Sequence, residues 1–439
     1  MTESTEQQES KDPRYEEEIN PRVILADERY ELISDILNEV YQPGEQKWML
    51  SDMLDEVFLH KYLGLPIFFL IMWAMFEFTF QASEVFMALI EVGFAYLGGF
   101  TSQIPITWVA SLVTDGIIGG VGFILVFLPP ILFMYFAIAL LENSGYLARA
   151  AFVMDRLMVK MGLHGKSFIP LLLGFGCTVP AVMATRTIEG KSNRLTTILI
   201  SPLMSCAARL PVYVLVAGVF FPMISGTIVF SMYTIGIAMA VVMALIFKKT
   251  LFQGKASPLL MELPMYQMPT LRDTSIQTWE RTVLFLKKAG TYLLTGSVVL
   301  WFASSFGPAG FGIPTTESYV SILGKFAEPI FRPLGFTWEI VAALIFGLLA
   351  KEVVVGFLGV IFAVQGEGAI AAALQAVMSP VSAFAFMIFV LIYTPCIATI
   401  GVIKKETGST KWAAFSVLYQ FLLAYALAFI TVFIGGLFF

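Results

Sequence analysis

The sequence predicts an all-α polytopic membrane protein with two inverted gate-type repeats built from broken and re-entrant helices. Three observations lead there. The 439 residues are 58% hydrophobic and 13% charged, with a mean hydropathy of +0.81. Several apolar runs approach the ~20 residues that cross hydrocarbon. They are continuous, whereas a β-barrel would alternate over ~10-residue segments. Finally, glycine, proline and cysteine interrupt these runs near their middles, as in Gly174-Phe175-Gly176-Cys177-Thr178-Val179-Pro180. Non-helical backbone survives at membrane depth only where protein buries it or it lines a watery cavity. Transporters keep their binding sites at such breaks.

Residues 1–20 are rich in Glu, Gln and Ser and read as a disordered tail. Residues 21–62 read as a cytosolic amphipathic helical element, carried by Ile24, Leu25, Leu32, Ile33, Ile36, Leu37 and Val40. Pro43-Gly44 breaks it, and a second helix starts around Ser51 to Asp55. Residues 63–120 hold a first span, 63–80, and then an outer-face amphipathic segment carrying Glu84, Glu91 and Asp115. No Lys or Arg occurs between Lys61 and Arg149, which puts that segment outside by the positive-inside rule.

Residues 121–248 form the first repeat. A span at 121–141 returns inside, to a loop with Arg149, Arg156, Lys160 and Lys166. Lys166 precedes and Arg186, Lys191 and Arg194 follow the apolar stretch 168–185, so both its ends lie inside. It must dip in and return, turning near Cys177. The next span, 195–221, is broken at Ser201 to Cys206 and again at Pro211, and 227–247 comes back. Residues 249–288 are a basic cytosolic loop. Residues 289–439 form the second repeat and the last span, with breaks at Lys351-Glu352 and at Thr394-Pro395-Cys396.

The halves match at an offset of 173: Tyr146 with Tyr319, Asp155 with Glu328, Gly162 with Gly335 and Gly174 with Gly347. Cys177-Thr178-Val179 falls on Ala350-Lys351-Glu352. Charge puts the first hairpin inside and the second outside, an inverted arrangement suited to alternating access.

A buried cysteine is usually a small hydrophobe. Here Cys177, Cys206 and Cys396 all sit at breaks, which points to a ligand set for a borderline-soft first-row cation. Thr178, Ser201, Met204, Ser205 and Thr394 are further donors nearby. Glu352 is an intramembrane carboxylate and thus a functional candidate; a structural ion pair is the plainer alternative. Lys351, on another helix face, would meet a lipid or a loop carboxylate. Arg209 would repel a cation, so it is expected to pair with Glu142 or Glu352. Gly174, Gly176, Pro180, Pro202, Pro211 and Pro395 shape the breaks.

Other signals carry less. Gly165-Lys166-Ser167 has Lys160 where a phosphate-binding loop needs glycine, so no nucleotide-hydrolysing motif and no enzyme activity are expected. His60 and His164 form no spaced metal pair. Basic loops read as topology rather than nucleic-acid sites, and the many phenylalanines as lipid-facing packing. Three membrane cysteines make no disulfide framework.

The chain resembles ferrous iron transport protein B, the FeoB family, over residues 26–439. The resemblance rests on Leu163-His164-Gly165-Lys166-Ser167-Phe168-Ile169-Pro170, on the Gly174 to Ala181 stretch and on Met204-Ser205-Cys206-Ala207-Ala208-Arg209-Leu210-Pro211. Met261-Glu262-Leu263-Pro264, Thr394-Pro395-Cys396-Ile397-Ala398-Thr399 and Ala26-Asp27-Glu28-Arg29-Tyr30 add to it. It implies Fe²⁺ uptake across a bacterial or archaeal cytoplasmic membrane by a multi-pass protein with a cytosolic N-terminus. Fe²⁺ would be the transported substrate, with no cofactor bound permanently. The family's GTP-binding domain is expected on a separate chain, the alternative being that the sequence is a fragment, with a small SH3-like accessory protein and homo-oligomerisation as further partners. The family's gate cysteines fall on Cys177 and Cys396, and its Ser-Cys break on Cys206. Transport of another divalent metal or of a nucleoside-like solute is the alternative, and a non-transporting membrane scaffold or sensor a third reading.

Overall fold

The computed structural model describes residues 29–33, 36, 50–60, 63–101, 107–126, 128–252, 265–362 and 367–438. The chain divides into two units, Met1–Leu54 and Asp55–Phe439. In the first, residues 29–33 and Ile36 are helical. The tail at 1–20, Met261 to Pro264 and most of the element at 21–62 lie outside the described residues. Leu50–Phe58 is helical (α1), over the stretch where Ser51 to Asp55 read as a second helix.

The second unit opens with α2, Gly64–Thr101. This corrects the expectation of a span ending at residue 80. Glu84 and Glu91 read as an exit from hydrocarbon, but both are exposed on the face of a helix that runs on unbroken. Thr107–Ser111 (α3) passes through a π-helical stretch, Leu112–Ile118, into Gly119–Val126 (α4). Leu128–Asn143 (α5) then bends by 82° into Tyr146–Lys160 (α6). Gly145 makes the bend at φ 80°, a left-handed conformation that favours glycine. Arg149 holds it. Its guanidinium donates to the Gly145 carbonyl at 3.0 Å, pairs with Asp55 at 2.5 and 3.1 Å, and lies 3.7 Å from the Tyr266 ring centre. Burial pushes the Tyr266 phenol up to about 12, so the ring meets Arg149 as a neutral aromatic.

Next come Phe168–Gly176 (α7) and Thr178–Ala184 (α8), which pack on each other around an extended Cys177. Lys191–Ile200 (α9) unwinds at 201–209 before Leu210–Phe220 (α10), and Ser225–Thr250 (α11) returns. The basic loop expected at 249–288 contains a helix, Leu271–Phe285 (α12), which packs along α5. Its arginines and lysines read as topology and hid it.

The second half contains Thr291–Ser305 (α13), a short hairpin of Phe306–Gly307 (β1) with Gly310–Phe311 (β2), and Tyr319–Phe331 (α14). Trp338–Phe346 (α15) follows a 107° bend and gives way to a non-helical turn before Val353–Ile361 (α16). After Glu367–Val377 (α17), Pro380–Ile392 (α18) breaks at 393–396 into Ile397–Thr407 (α19), and Thr410–Phe438 (α20) closes the chain. The succession from α5 to α11 thus recurs from α13 to α20, with α17 inserted.

Among the described residues five helices are long and apolar enough to cross a membrane, or seven if each bent pair is one span. The most apolar stretch of Pro380–Thr407 is 78% buried, against 17% for Thr410–Leu437, so α18 and α19 form the innermost span. Around them, Phe331, Phe336, Phe386 and Phe389 stack and cross one another in the core. Part of the phenylalanine content is therefore core packing, while rings such as Phe69, Phe86 and Phe230 are exposed on the outer surface.

Gly162 and Gly335, matched by the internal repeat, both have positive φ (73° and 72°). A Cβ on Gly335 would lie 2.2 Å from the Ser382 hydroxyl, whereas one on Gly162 would meet only the flexible Lys248 stem at 3.3 Å. Gly162→Ala should lose about 1–2 kcal/mol for the left-handed backbone, and Gly335→Ala clearly more. Thermal unfolding in detergent checks the ranking; equal losses would mean that the Ser382 contact relaxes freely.

Candidate functional site

The two pairs of broken helices meet around one cavity of about 330 Å³. Each thiol stands where a helix begins. Cys177 (φ −152°, ψ 132°) precedes α8, Cys206 (φ −75°, ψ 159°) precedes the 3₁₀ turn leading into α10, and Cys396 (φ −59°, ψ 155°) precedes α19. Glycine and proline force these breaks: Gly174 and Gly176 end α7, Pro202 opens the turn at Ser201–Leu203, and Pro395 stops α18 from continuing. Helix α8 packs against α19, which brings the first hairpin up to the second break.

Of the predicted ligands, Cys177, Thr178, Cys206, Glu352 and Cys396 line the cavity. Gly176, Arg209, Pro211, Lys351 and Pro395 line it too. Met204, Ser205 and Thr394 do not. The Ser205 hydroxyl donates to Tyr213 Oη at 3.2 Å, and the Met204 side chain packs where a Cβ on Gly174 would fall, at 2.9 Å. Gly174, Pro180 and Pro202 stand behind the wall and shape it. Among the described residues no three His, Cys, Asp or Glu side chains converge closely enough to hold a metal ion. The thiols and Glu352 share a chamber without forming a closed ligand shell.

Two cations overturn the expected pairings. Arg209 meets neither Glu142 nor Glu352. Its guanidinium donates to the Met204 carbonyl at 3.0 Å and the Pro202 carbonyl at 3.1 Å, while Glu142 pairs with Arg281 at 2.8 Å. The reason is the break: unwinding frees carbonyls that no helical N–H reaches, and a buried carbonyl must find a donor. Lys351 meets neither lipid nor a loop carboxylate. It and Glu352 lie in the turn between α15 and α16, not on helix faces. The Lys351 ammonium donates to the Thr394 carbonyl at 2.6 Å and sits 3.1 Å from the Tyr393 ring centre.

Sequence reading missed the opposite wall. Phe76, Thr79, Phe80 and Met87 of α2 and Pro130, Ile131 and Met134 of α5 complete the cavity. The Met134 sulfur lies where a Cβ on Gly176 would be, at 2.3 Å, so glycine beside Cys177 makes room for it. Thr399 was also missed; its hydroxyl is 3.1 Å from the Cys396 sulfur. The Pro129-Pro130 pair in α5 was the one available signal.

Several helices long and apolar enough to cross a membrane, broken around a cavity lined by three cysteines, make this a polytopic membrane protein. The Gate family, described as nucleoside recognition, matches residues 124–220 and 286–410, and "Ferrous iron transport protein B C terminus" matches 229–281. The chain belongs to the FeoB family. It is 45% identical over 424 residues to the Fe(2+) transporter FeoB of Methanocaldococcus jannaschii, covering 94% of this chain and 63% of that protein. It is 42% identical to a Porphyromonas gingivalis protein named as an Fe(2+) transport protein A/Fe(2+) transporter FeoB fusion, covering 95% and 55%. The Campylobacter jejuni Fe(2+) transporter FeoB is 40% identical, with 91% and 67% covered. The chain thus spans a little under two thirds of the first of these relatives and about half of the second. No solved structure matches it.

Proposed function

We propose that this chain carries Fe²⁺ across the cytoplasmic membrane through the cavity between its broken helices. The supporting observation is that three thiols from three separate breaks, with Glu352, line one cavity. Thiolate and carboxylate donors suit a borderline-soft divalent cation, and an incomplete shell suits a cargo that must leave. The recurring order of helix, break and helix supports two inverted repeats that open the cavity alternately to each side, with the N-terminus cytosolic. The printed name of the Porphyromonas gingivalis relative supports a small accessory protein as partner. A separate GTP-binding protein belongs to the same reading and is tested by co-purification.

Purified chain in proteoliposomes, with its candidate GTP-binding partner added, should accumulate radioactive iron under reducing conditions. No uptake above protein-free vesicles would sink the proposal. A nucleoside-like solute, the cargo suggested by the Gate description, fits less well. Among the described residues lining the cavity there is no Asn or Gln to read a base edge. Excess nucleoside should leave iron uptake unchanged.

A further inference from the structure

A basic side chain already occupies the carbonyl beside Cys396. Lys351 is 3% exposed, reaches out of the turn at 347–352, and donates from its Nζ to the carbonyl freed at Thr394 by the second break. That carbonyl is two residues from Cys396, and Lys351, Glu352 and Cys396 line the same cavity. The Tyr393 ring adds a cation–π face. Two further links join the same pair of segments: Ile397 N–H donates to the Leu348 carbonyl at 2.9 Å, and the Tyr393 hydroxyl donates to the Leu344 carbonyl at 3.3 Å.

The first break is held differently. Arg209 donates to two carbonyls of its own segment, five and seven residues back, so its contacts travel with the break. Lys351 makes one bond to backbone 43 residues away on another element. A planar fork with two local acceptors is a fixed staple. A single ammonium on a four-carbon stem is a removable one.

We propose that Lys351 is a tethered competitor of the cargo. Its ammonium holds the 393–396 break while the site is empty, and it must leave the Thr394 carbonyl when a divalent cation binds beside Cys396. Two cations sharing one carbonyl and one chamber repel at short range, so each occupancy excludes the other. Lys351 therefore weakens cargo binding and returns to expel the cargo: it sets affinity low and release fast. This rests on the Fe²⁺ reading above and adds a positioning residue to it.

Protection of Cys396 from N-ethylmaleimide, followed on its own peptide by mass, reads occupancy by Fe²⁺. Uptake of radioactive iron reads transport. Lys351→Met keeps the apolar stem and removes the charge. It should be protected at ~5-fold or more lower Fe²⁺ than wild type, the low end of a typical coupling, with a lower KM and a lower maximal rate. Lys351→Arg should need at least the wild-type concentration. Tyr393→Leu retains the lysine and removes its aromatic face together with the hydroxyl's bond to the Leu344 carbonyl, so it should lie between wild type and Lys351→Met, even if the methionine variant folds poorly. Equal protection of wild type, Lys351→Met and Tyr393→Leu overturns the competitor role and leaves the iron site standing. Absence of both protection and uptake in wild type overturns the iron reading and the competitor with it.

Discussion

Cys396→Ser is expected to cut iron uptake on the order of 10- to 100-fold, the range seen when a metal's supporting shell is damaged. A hydroxyl replaces the sulfur with a smaller, harder donor that does not ionise as a thiol does. Cys396 should be the most sensitive of the three thiols because it stands on the innermost span, at the start of an eleven-residue helix, with Thr399 3.1 Å from its sulfur. Cys206→Ser, Cys177→Ser and Glu352→Gln should each lower uptake in the same assay. Met204→Leu should leave uptake within about two-fold, because the Met204 side chain packs toward Gly174 and not into the cavity, and surface-conserving apolar swaps are well tolerated. Normal uptake in all four ligand variants would remove the site; a large loss in Met204→Leu would relocate it to the 201–206 break.

Arg209→Met is expected to damage the fold before it damages transport. The guanidinium is 1% exposed and satisfies the Pro202 and Met204 carbonyls, both stripped of helical partners by the unwound segment. Leaving each unmet loses about 1–3 kcal/mol, so about 2–6 kcal/mol for the two. That is a large share of a typical protein's margin, and low yield with a depressed thermal midpoint in detergent should follow. Arg209→Lys should fall between, because one ammonium cannot reproduce a fork aimed at two oxygens. A methionine variant as stable as wild type but unable to transport would instead place the guanidinium's role on the cargo.

The breaks were legible because they violate a rule. Glycine and proline inside a 15-residue apolar run such as 168–182 weaken the helix at that point, and a cysteine marks three of the four breaks, the turn at Lys351-Glu352 being the exception. The end of α2 was not legible, since Glu84 and Glu91 look alike whether they mark a membrane edge or one wet face of a long helix. Helix α12 was masked by Arg272, Arg281 and the following lysines, whose charge answered a question about sidedness first. The partners of Arg209 and Lys351 could not be read at all. A sequence displays side-chain charges, and both cations meet carbonyls that exist as acceptors only after the chain has unwound. The wall from α2 and α5 was invisible for a similar reason: Thr79, Met87 and Met134 differ in no way from packing residues until the hairpins stand opposite them.

The order of synthesis gives the Lys351–Thr394 contact one more meaning. Thr394 belongs to the last span but one, and its bare carbonyl would be poorly tolerated in lipid, where each unmet polar group is worth several kcal/mol. Lys351 is translated 43 residues earlier, on the turn that ends up beside it. The donor therefore leaves the ribosome before its acceptor, so the Thr394 carbonyl can be met as soon as the second break is placed beside the 347–352 turn.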